Sequence, residues 1–150
     1  MLSGMISSIS GAVNTSGTNL AVDSDAQFVS GADNNIAIGT NALVSTTTNA
    51  ADSNTAIGVD ALTALETGNV NIAIGYQAGN ATVDVDNAVI IGAQAGQGNL
   101  TSAADGTMLL GKNAGKALTS GAGNIGIGYG ALLEHTTGAR NIAIGFEAMN

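Results

Sequence analysis

The residue types that carry most enzyme chemistry are scarce in this chain. It has one histidine, His135, and no cysteine, and no serine and aspartate are spaced so as to form a catalytic set with that histidine. Without a cluster of histidines or cysteines there are no ligands for zinc. His135 lies in a polar loop at residues 134–138, which is typical of a solvated side chain. The sequence therefore predicts no catalytic residue and no enzyme activity.

Two acidic clusters, Asp84 with Asp86 and Asp23 with Asp25, could offer oxygen ligands to calcium. Calcium takes six to eight oxygen ligands, and neither cluster has the Gly-Gly-x-Gly-x-Asp loop of calcium-binding rolls. The Gly-Lys-Asn run at 111–113 lacks the Ser or Thr that a phosphate-binding loop requires after its lysine. These clusters are best interpreted as solvated loops, and we expect no metal and no cofactor.

One short unit repeats along most of the chain. The run Asn-Ile-Ala-Ile-Gly at 35–39 returns at 71–75 and at 141–145, with looser copies between them. The last glycine of each unit, here called the anchor glycine, recurs at intervals of 19, 17, 17, 19, 17 and 17 residues. An alanine stands three residues after every anchor glycine, and Ile or Leu directly before it. The seven anchor glycines are Gly39, Gly58, Gly75, Gly92, Gly111, Gly128 and Gly145.

This period predicts an all-β parallel β-roll, or β-solenoid, of about seven coils. A unit of this length has too little apolar surface to fold alone, so the units must stack. Each unit would contain a strand before the anchor glycine, a glycine turn, a second short strand as at 40–43 and 76–79, and a polar loop. The apolar residues one and three positions before each anchor glycine would share one face of the first strand.

Two apolar surfaces are present in each unit, which predicts self-association. The large aliphatic residues of the first strand form one surface, and the alanine column with Leu43, Leu62, Leu132 and Met149 forms the other. One surface can fill the interior of a thin coil, and a second apolar strip left in water is an association surface. We therefore expect a homo-oligomer, and a homotrimer, intertwined or side by side, would place the strips around its three-fold axis.

An asparagine occupies one register in most units, four residues before the anchor glycine. Ala88 and Thr107 are the exceptions. In a stacked solenoid these residues would form an Asn ladder, with each amide bonded to the next coil. Two interpretations are open, a structural ladder at the corner of the coil or a stripe that binds a ligand. The candidate ladder residues are Asn35, Asn54, Asn71, Asn124 and Asn141.

Aromatic residues share a second register, directly after the anchor glycine. They are Tyr76, Tyr129 and Phe146, and rings in a row can stack on sugars. The alternative is that the rings cover the turn or pack at a subunit boundary. The variable loops at 45–53, 80–87 and 97–106 are the better places for a ligand, because changes there leave the stacked core intact.

The Asn-Ile-Ala-Ile-Gly-x-x-Ala unit resembles the head repeats of trimeric autotransporter adhesins and the related repeats of phage tail fibres. The resemblance covers residues 35–150 and implies a left-handed parallel β-roll that assembles as a trimer. The coils here are longer than those of adhesin heads, because of extra loop residues that are more like phage fibres. There is no C-terminal membrane anchor, so we do not expect a complete autotransporter.

A second resemblance is to the hexapeptide repeats of left-handed β-helix acyltransferases, whose coils also contain eighteen residues. In that fold an aliphatic residue recurs every six residues. An Ile or Leu precedes each anchor glycine. The residues six positions after that Ile or Leu are Val44, Thr63, Asn80, Gln97, Lys116, Leu133 and Asn150. Since most of these are polar, only one hexad per coil is preserved, and the acyltransferase is a minor alternative.

Residues 1–34 fall outside the repeat and are predicted to form an attachment and neck segment, followed by the roll domain at 35–150. Leu2, Ile6, Ile9 and Val13 have the spacing of a short coiled coil, and isoleucine at both seam positions is compatible with trimers. Glycines and serines weaken the helix, and no basic residue precedes it as in a signal peptide. The segment that begins at Met1 and ends at Val13 is expected to dock into a virion or fibre-anchoring protein.

The charge of the chain excludes nucleic acid and favours an exposed rod. The net charge is −8, which repels nucleic acid, and no run is long enough to cross a membrane. Absence of cysteine is compatible with an exported or virion protein. The predicted function is a phage tail fibre or fibre segment at the virion surface, a stiff trimeric spacer in host attachment that contacts a host glycan or protein. A bacterial surface adhesin head and a capsid decoration fibre are the alternatives.

Overall fold

The computed structural model describes residues 19–22, 32–45 and 51–150. The chain forms an all-β parallel β-solenoid of about seven turns, as the repeat predicts. Eight short strands pair in sequence order into one parallel sheet, and each coil within residues 51–150 contributes one strand to it. The strands are β1 (Leu20–Val22), β2 (Ile36–Ile38), β3 (Thr55–Ile57), β4 (Ile72–Ile74), β5 (Val89–Ile91), β6 (Met108–Leu110), β7 (Ile125–Ile127) and β8 (Ile142–Ile144).

The pairing register keeps each repeat position in its own column. Ala37 pairs with Ala56, and Ile38 with Ile57, and the same alignment continues through every pair of strands to β8. The middle residue of each strand is buried, whereas the residues on either side of it are exposed or half-buried. Because side chains alternate across a strand, the middle residues face the interior and the two flanking columns face outward.

Between the strand and the turn that faces it, most coils hold one large side chain, which comes from either of two facing positions. Leu65, Val85, Leu100 and Leu118 are further large side chains that are fully buried elsewhere in the coils. In the coils of β2 and β3 the strand contributes alanine, and Leu43 and Leu62 fill the core from the opposite side. In the coils of β5 and β6 the strand contributes Ile90 and Leu109, and the opposite position is glycine. A β-carbon at Gly115 would lie 2.6 Å from Leu109 Cδ2, so the two positions cannot both be large.

The prediction of a second strand in each unit is wrong. Residues 40–43 and 76–79 form turns, in which Asn41, Leu43, Gln77 and Gly79 have φ between 52° and 60°. Alternate residues in the left-handed region break an extended conformation. The turns still bond from coil to coil, as in the 3.1 Å bond that the Leu43 amide donates to the Ala61 carbonyl.

The strand stack begins before the first exact repeat. β1 pairs with β2 in the same register, so the sheet reaches into the segment that the sequence assigned to the neck. The predicted helix at 1–13 lies outside the described residues. A short 3₁₀ turn, Ser102–Ala104, occupies one of the two longer coils.

Candidate functional site

The anchor glycines allow neighbouring coils to approach closely. All seven have φ between 117° and 138°. A β-carbon at Gly92 would lie 2.4 Å from the Gly111 carbonyl oxygen, and one at Gly75 would lie 2.7 Å from that of Gly92. Only glycine combines this backbone conformation with this contact. The column therefore sets the spacing of the coils where each strand ends.

The candidate ladder asparagines are joined by hydrogen bonds from coil to coil. Asn35 Oδ1 accepts the backbone N–H of Asn54 at 2.8 Å, and Asn54 Oδ1 accepts that of Asn71 at 3.0 Å. The same side chains also donate, as Asn54 Nδ2 does to the Gly68 carbonyl at 2.8 Å. Asn124 and Asn141 are linked in the same way. Four of the five are fully buried, which supports the structural interpretation of this column.

A second polar column, not recognised from the sequence, runs beside the first one. Its residues lie six positions before the anchor glycine. From the second residue of the column onward, the side-chain Oδ1 accepts the backbone N–H of the column residue in the preceding coil. For example, Asp52 Oδ1 accepts the backbone N–H of Asp33 at 2.7 Å. The sequence does contain a signal for this column, because four of its five residues are aspartates at the same repeat position. The column consists of Asp33, Asp52, Asn69, Asp86 and Asp105.

The acidic residues and the histidine that were considered for metal binding or catalysis contact other residues of the solenoid. Asp86 belongs to the second polar column, and Asp84 Oδ1 accepts the Ser102 backbone N–H at 2.9 Å. His135 Nε2 lies 3.0 Å from the amide nitrogen of Asn141, so the histidine contacts the last asparagine of the ladder. Within the described ranges no three acidic, histidine or cysteine side chains form a group that could hold a metal ion. Asp23 and Asp25 lie outside those ranges.

Two of the three aromatic candidates form a stack. The rings of Tyr129 and Phe146 have centroids 5.2 Å apart and planes inclined by 9°. Lys112 Nζ lies 6.0 Å from the centroid of the Tyr129 ring. Lys112 and Phe146 come from the coils before and after that of Tyr129, so the ring has a neighbour from each side along the stack, and it is still 44% exposed. Tyr76 is 52% exposed and stands apart from the stack.

The outer face of the sheet is the largest candidate site. Two parallel columns of mostly large aliphatic residues cover it, one from the first and one from the last residue of each strand. Ile74 and Leu110 are 36% and 41% exposed, and Ile144 at the last strand is 66% exposed. The two columns together are here called the aliphatic face. Of the two apolar surfaces in each unit, this is therefore the one left in water. The alanine column is inside with its three leucines, whereas Met149 in the last coil is 49% exposed.

Two rims flank the aliphatic face. The N-rim contains the residue two positions before each strand from β2 to β8, namely Asn34, Ser53, Val70, Asn87, Gly106, Gly123 and Arg140. The C-rim contains the residue directly after each anchor glycine, namely Thr40, Val59, Tyr76, Ala93, Lys112, Tyr129 and Phe146. Every rim residue is exposed except the half-buried Ala93.

The exposed apolar area is unusual for a single soluble chain. If a fully exposed large side chain carries about 150–200 Å², the exposed hydrophobic residues of the face and rims present roughly 1,000 Å². The largest apolar patch of a typical monomer is about 300–600 Å². A standard protein–protein interface buries about 800 Å² on each partner. The face is therefore large enough for a stable interface.

Comparison with known proteins gives no match to a family model, to a curated protein or to a solved structure. The functional proposal therefore depends on the fold and the repeat motif. No helix among residues 19–22, 32–45 and 51–150 has the length and apolar character needed to cross a membrane.

Proposed function

We propose that the chain is a self-associating structural fibre segment, a stiff trimeric spacer in a phage tail fibre that takes part in host attachment. The observation that carries the proposal is the aliphatic face, which lies on the side of the sheet opposite to the core. The core is filled by the alanine column, by large side chains from the strands or the turns that face them, and by buried leucine and valine side chains from the loops. The aliphatic residues outside it do not fill that core, and contact with another copy would remove them from water.

The shape of the chain supports a spacer. The seven intervals of about 4.8 Å between the eight strands give a sheet roughly 34 Å long, with the same register throughout. Such a stack lengthens by adding coils without a change in cross-section, as a fibre requires. The number three comes from the resemblance to trimeric fibre and adhesin repeats, and a three-fold axis would gather three aliphatic faces at the centre.

Attachment to the virion is assigned to the segment from Met1 to Val13, and host contact to the variable loops. A bacterial adhesin head would share the same solenoid and the same face. Measuring whether the protein is incorporated into virions distinguishes a phage fibre from an adhesin head. Deletion of residues 1–13 is expected to remove the protein from purified particles, and unchanged incorporation would contradict the phage assignment of that segment.

The first test is the mass of the purified chain in solution by light scattering. We expect three times the chain mass of 14.5 kDa. Ile74→Lys with Ile91→Lys should give the monomer mass, because both lysines would enter the aliphatic face. Thr63→Lys with Gln97→Lys is the matched control. It adds the same charge outside the face and the rims, in the register where Lys116 occurs naturally, and should leave the mass unchanged. A wild-type mass of one chain would overturn the proposal.

A further inference from the structure

We propose that Tyr76 and three glutamine side chains beside it form a binding site for a neutral glycan, where the turn after β4 lies next to the variable loop 97–106. The glutamines are Gln77, Gln94 and Gln97, here called the glutamine cluster. The inference rests on the proposed role in host attachment, and it gives that contact a ligand class and a position. It does not depend on the number of chains in the oligomer.

The open ring of Tyr76 is the first observation. Tyr76 is 52% exposed, and within the described residues no aromatic ring or cation contacts its ring. At the same repeat position three coils later, Tyr129 has Lys112 and Phe146 as neighbours along the stack. The residue that follows Tyr76 along the C-rim is instead Ala93, whose side chain is too short to cover a ring. An aromatic face left open in this way can stack against the C–H face of a sugar.

The glutamine cluster is the second observation. Gln77 follows Tyr76 directly in the chain, and the Gln94 backbone N–H donates to the Tyr76 carbonyl oxygen at 2.8 Å, so the cluster spans the coils of β4 and β5. Gln77 Oε1 accepts from Gln97 Nε2 at 2.9 Å and, at the longer distance of 3.4 Å, from Gln94 Nε2. These bonds hold three flexible side chains in one arrangement before a ligand arrives, which lowers the entropic cost of binding.

The hydrogen bonds of the cluster leave several groups available to sugar hydroxyls. A glutamine amide offers two N–H donors and an oxygen with two lone pairs. Gln77 Oε1 is occupied by its two bonds, whereas the Gln77 amide nitrogen and the Oε1 atoms of Gln94 and Gln97 have no partner in the described part of the chain. The three residues are half-buried, so these groups still reach the surface. The cluster therefore presents donors and acceptors together, which suits a hydroxyl group because it can both donate and accept.

The charges around the cluster favour a neutral ligand. The cluster itself is uncharged. Asp60 precedes Gln77, and Lys116 follows Gln97, each pair sharing a repeat position in neighbouring coils, so one charge of each sign borders the cluster. The chain as a whole has a net charge of −8. This charge repels a glycan that carries carboxylate or sulfate groups, whereas it has no such effect on a neutral sugar.

The backbone of the turn favours a sugar over a peptide strand. A peptide that adds to a sheet edge needs unpaired backbone groups as partners. Here the Gln77 backbone N–H donates to the Val59 carbonyl oxygen at 2.9 Å, and the Tyr76 carbonyl oxygen accepts from the next coil. These groups are used within the solenoid, so recognition at this place depends on the ring and on the side-chain amides.

An array of neutral and acidic oligosaccharides tests the site with the purified full chain. We expect the chain to be retained on neutral oligosaccharides. In isothermal titration with the best of them, Tyr76→Ala and Gln97→Ala should each weaken binding about tenfold, and Tyr76→Phe should keep most of the affinity because the ring remains. Tyr129→Ala is the matched control, with the same residue type at the same repeat position, and should leave the affinity unchanged.

The outcomes distinguish the glycan site from the proposed fibre. Binding to no neutral oligosaccharide, binding to acidic ones alone, or an equal loss in Tyr129→Ala would overturn the site. Tyr76→Ala should also leave the mass in solution unchanged. A monomer mass in that variant alone would assign Tyr76 to a contact between copies, which would overturn the glycan site and leave the association standing. A monomeric wild-type chain that binds neutral oligosaccharides through Tyr76 would overturn the trimeric spacer alone.

Discussion

The anchor glycines permit a test that separates backbone strain from steric contact. Gly92 and Gly145 have nearly the same backbone conformation, with φ of 136° and 128°. A β-carbon at Gly92 would lie 2.4 Å from the Gly111 carbonyl oxygen, whereas one at Gly145 would have no atom within 4 Å. Alanine at either site meets the same conformational cost, but only Gly92→Ala must also push two coils apart.

The magnitudes follow from these contacts. A residue held in a sparsely populated backbone region costs about 1–3 kcal/mol, which applies to both variants. At Gly92 the neighbouring coil must also move by roughly 1 Å to reach an ordinary van der Waals contact. That displacement weakens the bonds from the Gly111 amide to the Ile91 carbonyl and from the Asn113 amide to the Ala93 carbonyl, 2.7 and 3.0 Å long. At about 1 kcal/mol for each bond, Gly92→Ala should cost roughly 2 kcal/mol more than Gly145→Ala.

The assay is urea unfolding followed by far-ultraviolet circular dichroism, at one protein concentration for all variants because association adds to stability. Gly92→Ala is expected to lower the free energy of unfolding by about 3–5 kcal/mol, and Gly145→Ala by about 1–3 kcal/mol. Equal losses in the two variants would refute the argument that close approach of the coils requires glycine. A loss below about 1 kcal/mol at Gly92 would refute the role of the whole column.

Three further predictions concern single positions, each measured by urea unfolding. Asn54→Ala should cost about 2–4 kcal/mol, because the Asn71 amide and the Gly68 carbonyl lose their buried partner, whereas Asn69→Ala in the half-buried outer column should cost less than half of that. Thr82→Val should stabilise the chain by about 1 kcal/mol, because the Thr82 hydroxyl is buried without a hydrogen-bond partner, and a loss of stability would contradict this account. Val70→Asn should stabilise the dissociated chain by about 1 kcal/mol through relief of its backbone and should weaken association, and unchanged association would argue against a contact at Val70.

Several local features could be predicted because they depend on residues close together in the chain. The anchor glycines and the alternation before them predict the strands, and the period predicts their stacking. The asparagine register follows from the same stacking, since equivalent positions of consecutive coils must be neighbours. The turn after each strand was mistaken for a second strand, because Leu43 and Gln77 give no sequence signal of a positive φ.

Which apolar surface lies inside was decided only by the tertiary structure. Both surfaces have apolar residues at regular spacing, and the sequence alone gives no preference between them. The space between a strand and the turn that faces it holds no more than one large side chain, as the contact of Gly115 with Leu109 shows, so small residues from the two layers face each other there. The two aliphatic columns are too bulky for that space and are left outside. The sequence by itself determined the coil and its period, and the limited volume between the two layers determined which surface is available to a partner.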